Sequence, residues 1–175
     1  MATKQGDFYQ TREWQMGHAV EQQIGELLKD RGWYVIPSDD YSGDDDKAPR
    51  MQGALTCYVL PDLDVAKDGT RYWAEVKAKA SASWTRKTRR YEHGIPKRHY
   101  QHYREVEEIT GCKVFLFVYE QDTGAILVGR LDELAQHKRE YIGGKMSYGG
   151  MVFFPRDAFA QWGEMKPAEL EKVST

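Results

Sequence analysis

The sequence is poor in cysteine and has no long apolar run. Cys57 and Cys112 are its only cysteines, and they do not form a CxxC pair. This count argues against a structural zinc site or a disulfide framework, and the apolar residues around both cysteines predict buried free thiols. No stretch approaches the length of a membrane span, and the N-terminus lacks the apolar core of a signal peptide. We therefore expect a cytoplasmic protein without a membrane segment.

An excess of charge of either sign is also absent, because 27 acidic residues face 25 basic residues in a chain of 175. The net charge of −2 hides two local concentrations. An acidic stretch at 39–52 is predicted to be a mobile loop, whereas residues 84–104 carry seven basic residues against a single acidic one. The length suits one domain, 1–175, with a loosely held lead-in at 1–10 and a polar tail at 167–175.

The stretch 60–79, LPDLDVAKDGTRYWAEVKAK, is predicted to form a β-hairpin. Asp68-Gly69 lies at its centre, and this dipeptide favours the positive φ values of a two-residue type I′ turn. Such a turn sets Lys67 opposite Thr70 and so determines every later pair. The hairpin strands are predicted from about Ala54 to Val65 and from Thr70 to Ala78. Both are largely apolar on both faces, which predicts strands inside a sheet rather than at a solvated edge.

Two carboxylates meet in this register, because Asp62 falls opposite Glu75. Asp64 and Lys77 share their face, since side chains alternate along a strand. Facing carboxylates have Cβ atoms about 5 Å apart and repel each other, and a divalent cation would remove that repulsion. Hard oxygen ligands of this kind suit Mg²⁺ or Mn²⁺. The alternative is an ordinary charged face of an exposed hairpin.

Pro61-Asp62, twelve intervening residues and Glu75-Val76-Lys77 resemble the signature of the PD-(D/E)xK nuclease superfamily. That superfamily includes restriction endonucleases, archaeal Holliday junction resolvases and phage nucleases, and the hairpin is most similar to the resolvase-like members. The resemblance implies that Asp62, Glu75 and the Val76 carbonyl bind Mg²⁺ or Mn²⁺, and that Lys77 orients or activates the attacking water. It also implies a further carboxylate on the first helix, a place that Glu21 fits.

Two further carboxylates lie near this pattern. Residues 11–31 have helical periodicity, and Glu21 borders the apolar stripe of this helix. The alternative to a role at the metal is a boundary carboxylate paired with a nearby Lys or Arg. Asp64 also has two possible roles, as a second metal ligand or as the ion-pair partner of Lys79 or Arg71.

The basic segment 84–104 directly follows the hairpin and interleaves its cations with aromatic residues. Basic side chains bind phosphates, and aromatic rings pack on sugars or unstacked bases. We predict DNA contacts by six basic residues of the segment: Arg86, Lys87, Arg89, Arg90, Lys97 and Arg98. The alternative is a solvated basic face whose aromatic residues, Trp84, Tyr91, Tyr100 and Tyr103, belong to the core.

The order of predicted elements is that of an α/β fold. The first helix is followed by the strand 33–36, the hairpin, a helix from Pro96 to Gly111, and strands at 113–119 and 125–129. A short helix at 131–137 and a late edge strand at 151–154 complete the pattern. This order indicates a mixed sheet flanked by helices, whereas periodicity alone indicates only an α/β domain. The resemblance implies the restriction-endonuclease-like three-layer α/β/α core with a central mixed β-sheet.

The function predicted from these features is metal-dependent hydrolysis of DNA phosphodiester bonds, with branched, phage or recombination DNA as candidate substrates. One alternative is a catalytically inactive nucleic-acid-binding protein of the same fold. Another is a protein-interaction module that uses the acidic and basic segments. Metal dependence of activity would distinguish the nuclease from both alternatives. A steep salt dependence of DNA binding would distinguish the nucleic-acid-binding protein from the protein-interaction module. The small size is compatible with a homodimer, since symmetric cutting of two strands requires two sites.

Overall fold

The computed structural model of the protein describes residues 12–37, 50–142 and 149–166. Within these ranges the chain forms three α-helices: α1 (Arg12–Asp30), α2 (Lys97–Thr110) and α3 (Leu131–Leu134). It also forms twelve strands: β1 (Tyr34–Pro37), β2 (Arg50–Gln52), β3 (Cys57–Val59), β4 (Leu63–Lys67), β5 (Thr70–Lys79), β6 (Ser83–Thr85), β7 (Arg90–Pro96), β8 (Lys113–Glu120), β9 (Ala125–Arg130), β10 (Arg139–Tyr141), β11 (Met151–Pro155) and β12 (Ala160–Glu164). The predicted lead-in, the C-terminal tail and the aspartates of the acidic stretch lie outside the described residues.

The core is a six-stranded mixed sheet in the order β1-β4-β5-β8-β9-β12. Its central pair, β5 and β8, is parallel, and every other pair in the sheet is antiparallel. Helix α1 packs on one face, whereas α2, α3 and a second sheet, ordered β10-β11-β7-β6, pack on the other. The predicted α/β core with a central mixed sheet is therefore confirmed. None of the described helices combines the length and the apolarity needed to span a membrane.

Helix α1 has the apolar stripe expected from its periodicity. Val20, Ile24 and Leu28 are buried against the sheet, and Glu21 is buried beside them with 8% of its surface exposed. The helix ends where Gly32 adopts a φ of 81° and donates its N–H to the Lys29 carbonyl at 2.8 Å. Glycine takes this left-handed conformation without a steric penalty, so it is a common helix terminator.

The predicted hairpin register is confirmed from the turn to Leu63 and Ala74, but the predicted pair of Asp62 with Glu75 lies beyond the end of the ladder. Lys67 pairs with Thr70, and the turn between them has positive φ at both Asp68 (49°) and Gly69 (78°), as a type I′ turn requires. The last pair of the β4–β5 ladder is Leu63 with Ala74. Local turn chemistry therefore determines which residues of the two strands lie side by side.

The expectation of one long strand before the turn is wrong. The chain breaks between β3 and β4, because Pro61 has no N–H to donate to a ladder. Strand β3 pairs instead with β2, a segment expected to be loop, and Val59 N–H donates to His102 Nδ1 on α2 at 3.0 Å. Leu55 is 98% exposed and Cys57 is exposed, so the prediction of a buried thiol at Cys57 is also wrong.

The second sheet is a feature that the sequence pattern does not predict. Its hairpin, β6–β7, contains the residues Glu92 and His93, which are buried and polar, so the segment lacks the apolar alternation that marks a strand. The predicted strand at 151–154 exists as β11, but it lies between β10 and β7 rather than at an edge. Tertiary neighbours supply the burial that the local sequence does not signal.

Candidate active site

The candidate site lies where β4 and β5 part. The ladder between them ends at Leu63 and Ala74, whereas β5 continues beside β8 as far as Lys79. On the side that β4 leaves, the carboxylate of Asp62 accepts a hydrogen bond of 2.7 Å from the N–H of Val76. A side chain thus replaces the missing ladder partner and holds Asp62 next to the carboxyl end of β5.

Three oxygen atoms converge on the ammonium group of Lys77. Its Nζ forms a close ion pair with Glu75 Oε1, donates to the Val76 carbonyl at 3.2 Å and lies 3.9 Å from Asp62 Oδ2. These oxygens belong to the three residues to which the resemblance assigns a metal ion. The fold therefore places two carboxylate oxygens and one carbonyl oxygen around a single cation.

Glu75 is the most deeply buried acid of this cluster, with 1% of its surface exposed. Within the described residues, neither of its carboxylate oxygens receives a hydrogen bond of good geometry. Its charge is offset by the ion pair with Lys77. Buried carboxylates normally have several hydrogen-bond donors, so Glu75 retains unused capacity to bind a cation.

The charges of the cluster perturb one another. Burial, followed by the charge of Glu75, raises the pKa of Asp62 to about 7. Burial alone would lower the pKa of Lys77, but the charges of Glu75 and Asp62 outweigh it and raise that pKa. The cluster therefore holds more negative charge than one ammonium compensates, and Lys77 stays protonated at neutral pH.

Helix α2 contributes two residues to the same place. The hydroxyl of Tyr103 lies 3.2 Å from Nδ1 of His99, one turn away on the helix. Burial and the nearby charges of Glu75 and Asp62 raise the pKa of Tyr103, and burial with the charge of Lys77 lowers that of His99 to about 4. The sequence places Tyr103 among the aromatic residues of the basic segment, but it is buried beside the carboxylates. In the sequence, the i, i+4 spacing of His99 and Tyr103 was the signal that could have shown that these two side chains lie together on one face of the helix.

The other predicted carboxylates differ in their placement. Glu21 lies on the buried side of α1, as predicted, and its charge acts on Lys77. Asp64 is paired with Arg71 through two hydrogen bonds of 2.8 and 2.6 Å, which favours the structural alternative for this residue. No group of three or more His, Cys, Asp or Glu side chains in the described part of the chain is arranged to hold a metal ion.

The predicted DNA-contacting residues fall into two places. Four of them are exposed at the tip of the β6–β7 hairpin: Arg86, Lys87, Arg89 and Arg90. The other two begin α2, where Arg98 is exposed and Lys97 forms an ion pair of 2.7 Å with Glu140. Trp84 and Tyr91 flank the hairpin tip and are exposed, whereas Tyr100 packs against Phe154 in the core.

Comparisons with solved structures identify the fold. A Holliday junction resolvase from the archaeal hyperthermophile Archaeoglobus fulgidus superposes with a TM-score of 0.52 at 10% identity, covering 82% of this chain and 91% of that one. A fusellovirus nuclease gives 0.47 at 13% identity, covering 94% and 92%. A bacterial homing endonuclease gives 0.41 at 13% identity, covering 92% and 88%. No protein-family model and no curated protein sequence matches the chain.

The fold is therefore restriction-endonuclease-like, as the resemblance of the hairpin implied. At 10% identity the similarity to the resolvase establishes the fold alone.

Proposed function

We propose that the protein is a divalent-metal-dependent nuclease that hydrolyses DNA phosphodiester bonds. The observation that carries the proposal is the convergence of Asp62, Glu75 and the Val76 carbonyl on one cation, Lys77, within a restriction-endonuclease-like fold. A phosphodiester has no cation of its own, so its hydrolysis needs positive charge next to the reacting phosphate.

The donor set of the cluster fits a hard divalent cation. Two carboxylates and a carbonyl are oxygen ligands, and Mg²⁺ is typically held by one or two carboxylates while it keeps several waters. Two further observations support a cation site. A bound cation would occupy the Glu75 oxygens that receive no hydrogen bond, and its charge would lower the raised pKa of Asp62. Asp62, Glu75 and Val76 would hold Mg²⁺ or Mn²⁺, with Glu21 acting through Lys77 or a bound water.

The residues of the cluster have distinct roles in the proposed reaction. The chemistry that a divalent ion supplies in such a site is polarisation of the phosphate, activation of a water and stabilisation of the leaving oxygen. Lys77 stays charged, because its pKa is raised, so its role is to orient the water or to neutralise the phosphate rather than to take a proton. Tyr103 and His99 lie beside the charged cluster and border it on the side of α2.

The test compares two aspartates of the same hairpin. Linear, circular and four-way-junction DNA are incubated with the protein, with Mg²⁺, with Mn²⁺ and with chelator. Cleavage should require a divalent ion and should be lost in Asp62→Asn. Asp64→Asn is the matched control, because Asp64 is paired with Arg71, and it should cleave at the parental rate. Cleavage that survives chelator, or an Asp62→Asn variant as active as the parent, would overturn the proposal.

A second candidate is a catalytically inactive DNA-binding protein of the same fold. The observation that favours it is the position of Lys77, whose ammonium already lies next to both carboxylates. In that case Mn²⁺ would leave the melting temperature unchanged, and DNA binding would persist without cleavage in every divalent ion. A melting temperature that rises with Mn²⁺ in the parent and less in Asp62→Asn would exclude this candidate.

A further inference from the structure

The β6–β7 hairpin forms a second concave site that the proposed chemistry does not use. A pocket of about 310 Å³ opens at its tip and is lined by Trp84, Arg89, Arg90, Tyr91, Arg156 and Asp157. This volume is at the lower end for sites that take small organic groups. Three guanidinium groups beside two aromatic rings are the side chains that proteins use to hold nucleotides.

The two rings of this pocket are exposed although they are large and apolar. Trp84 and Tyr91 are directly opposite each other on β6 and β7, and each has 55% of its surface exposed. Their centroids are 5.0 Å apart at an interplanar angle of 63°, so the rings meet edge to face. An edge-to-face pair leaves one ring face open for a third planar group.

The hairpin that carries these rings is held in place by a buried carboxylate. Glu92, with 2% of its surface exposed, accepts hydrogen bonds from Thr85 at 2.8 Å and from Thr88 at 2.9 Å. Arg139 of β10 donates to the same carboxylate at 2.6 Å. The tip of the hairpin is therefore connected to the second sheet, and the pocket is formed before any ligand arrives.

One wall of the pocket is held in place in the same way. Arg156 donates from Nε and Nη2 to the two oxygens of Glu120, at 2.8 and 2.7 Å, and Glu120 also contacts His93 at 2.8 Å. Glu120 is the neighbour of Lys79 in the β5–β8 ladder, and Lys79 follows Lys77 by two residues, or about 7 Å of strand. The pocket therefore lies towards the same end of the central sheet as the candidate active site.

We propose that this pocket binds an unpaired nucleobase of a DNA strand whose phosphodiester backbone continues towards Asp62 and Glu75. The open ring face of the Trp84–Tyr91 pair stacks on the base and the other ring supports it, while Arg89, Arg90 and Arg156 contact the phosphates on either side. Asp157 places one carboxylate among the guanidinium groups; it would repel a lone phosphate but can accept a hydrogen bond from the amino or imino N–H of a base.

A base inside a duplex is not accessible to such a pocket, because both of its faces are stacked. The pocket therefore selects DNA that contains a single-stranded segment, such as a flap, a fork or a junction with unpaired bases. This inference rests on the proposed function for its choice of nucleic acid, but it concerns binding and not cleavage.

The test measures binding in chelator, so that cleavage plays no part. Fluorescence anisotropy with labelled oligothymidine, a blunt duplex and the same duplex with an overhang gives the affinity for each. The variants are Trp84→Ala and Tyr91→Ala, and Trp84→Phe keeps a stacking ring. Tyr34→Ala is the matched control, because Tyr34 is an exposed aromatic residue on β1, away from the pocket. Thermal melts check that every variant folds.

Each alanine variant should bind oligothymidine and the overhang more weakly by roughly 5- to 150-fold, the equivalent of 1–3 kcal/mol per stacked base. Affinity for the blunt duplex should change less than 2-fold, and Trp84→Phe and Tyr34→Ala should bind like the parent. Parental affinity in the alanine variants, an equal loss for the duplex, or a parent that does not bind oligothymidine would overturn the inference. Selective loss without any cleavage by the parent would instead overturn the proposed nuclease and leave the base-binding pocket standing.

Discussion

Two buried glutamates on two hairpins of this protein have opposite surroundings. Glu92 of the β6–β7 hairpin is surrounded by donors, since two threonines and Arg139 all donate to it. Glu75 of the β4–β5 hairpin is as deeply buried but has an ion pair with Lys77 and no hydrogen bond of good geometry among the described residues. A saturated carboxylate stabilises a fold, whereas an unsaturated one beside a second acid is suited to bind a cation.

The largest difference between the two glutamates is expected in catalysis. Glu75→Gln should lower DNA cleavage at saturating Mg²⁺ by at least about 100-fold, on the scale of electrostatic groups removed from active sites. Glu92→Gln carries the same substitution on the other hairpin and should keep most of the activity at a temperature where it is folded. Single-turnover cleavage of one DNA substrate measures both variants. An equal decrease in the two would remove the distinction between the sites.

The second prediction concerns stability, where Glu92→Gln should have the larger effect of the two variants. Glu92→Gln should lower the free energy of unfolding by roughly 1–3 kcal/mol, because Arg139 and the threonines lose a charged acceptor in a buried place. Glu75→Gln without metal should lower it less, since Lys77 keeps Asp62 and the Val76 carbonyl as partners and is partly exposed to water. Urea unfolding with chelator measures both. A larger loss of stability in Glu75→Gln than in Glu92→Gln would contradict the comparison.

The pH dependence of stability separates the sites further. The pKa of Glu92 is lowered, so its stabilisation is present above about 4.5, the ordinary value, and is lost as the pH falls through the lowered value. The pKa of Asp62 is raised from 3.8 to about 7, so the folded state holds its proton more tightly, and stability falls as the pH rises between these values.

Asp62→Asn should remove the second effect. Without metal the variant should gain on the parent between pH 5 and pH 8 by roughly 1–3 kcal/mol, since a tenfold change in proton affinity corresponds to about 1.4 kcal/mol. Melts from pH 4 to 8 in chelator measure the difference between the two proteins. If Asp62 served mainly as a partner of Lys77, the variant would be less stable than the parent at pH 8.

The smallest expected effect concerns the cations at the tip of the β6–β7 hairpin. Replacing Arg86 and Lys87 by Ala should flatten the salt dependence of duplex binding by about 0.9 for each phosphate that these side chains neutralise, with no change in melting temperature. Lys29→Ala on α1 is the control, because this exposed lysine pairs with Glu26 on the other side of the central sheet from α2. An unchanged slope in the double variant would exclude the hairpin tip from the DNA-contacting surface.

Some features of the protein were determined by the sequence through neighbours only a few residues apart. The Asp68-Gly69 turn set the register of the β4–β5 hairpin, because only a few residue pairs tolerate positive φ at both turn positions. Gly32 and Gly111 ended α1 and α2 for the same conformational reason. The proximity of Asp62 to the carboxyl end of β5 followed from that register, and with it the choice of Asp62 and Glu75 as a candidate ligand pair.

Only the tertiary structure decided how the candidate ligands are surrounded. Because the chain leaves the ladder at Pro61, the Asp62 carboxylate can accept a hydrogen bond from the Val76 N–H. The basic segment forms the β6–β7 hairpin because it pairs within the second sheet. The placement of Tyr103 beside Glu75 depends on where α2 crosses the sheet. These interactions join residues far apart in the chain, and their pKa values and burial depend on distances that no local pattern encodes. Sequence therefore determined which groups the site contains, and packing determined which of them are satisfied and which can bind a cation.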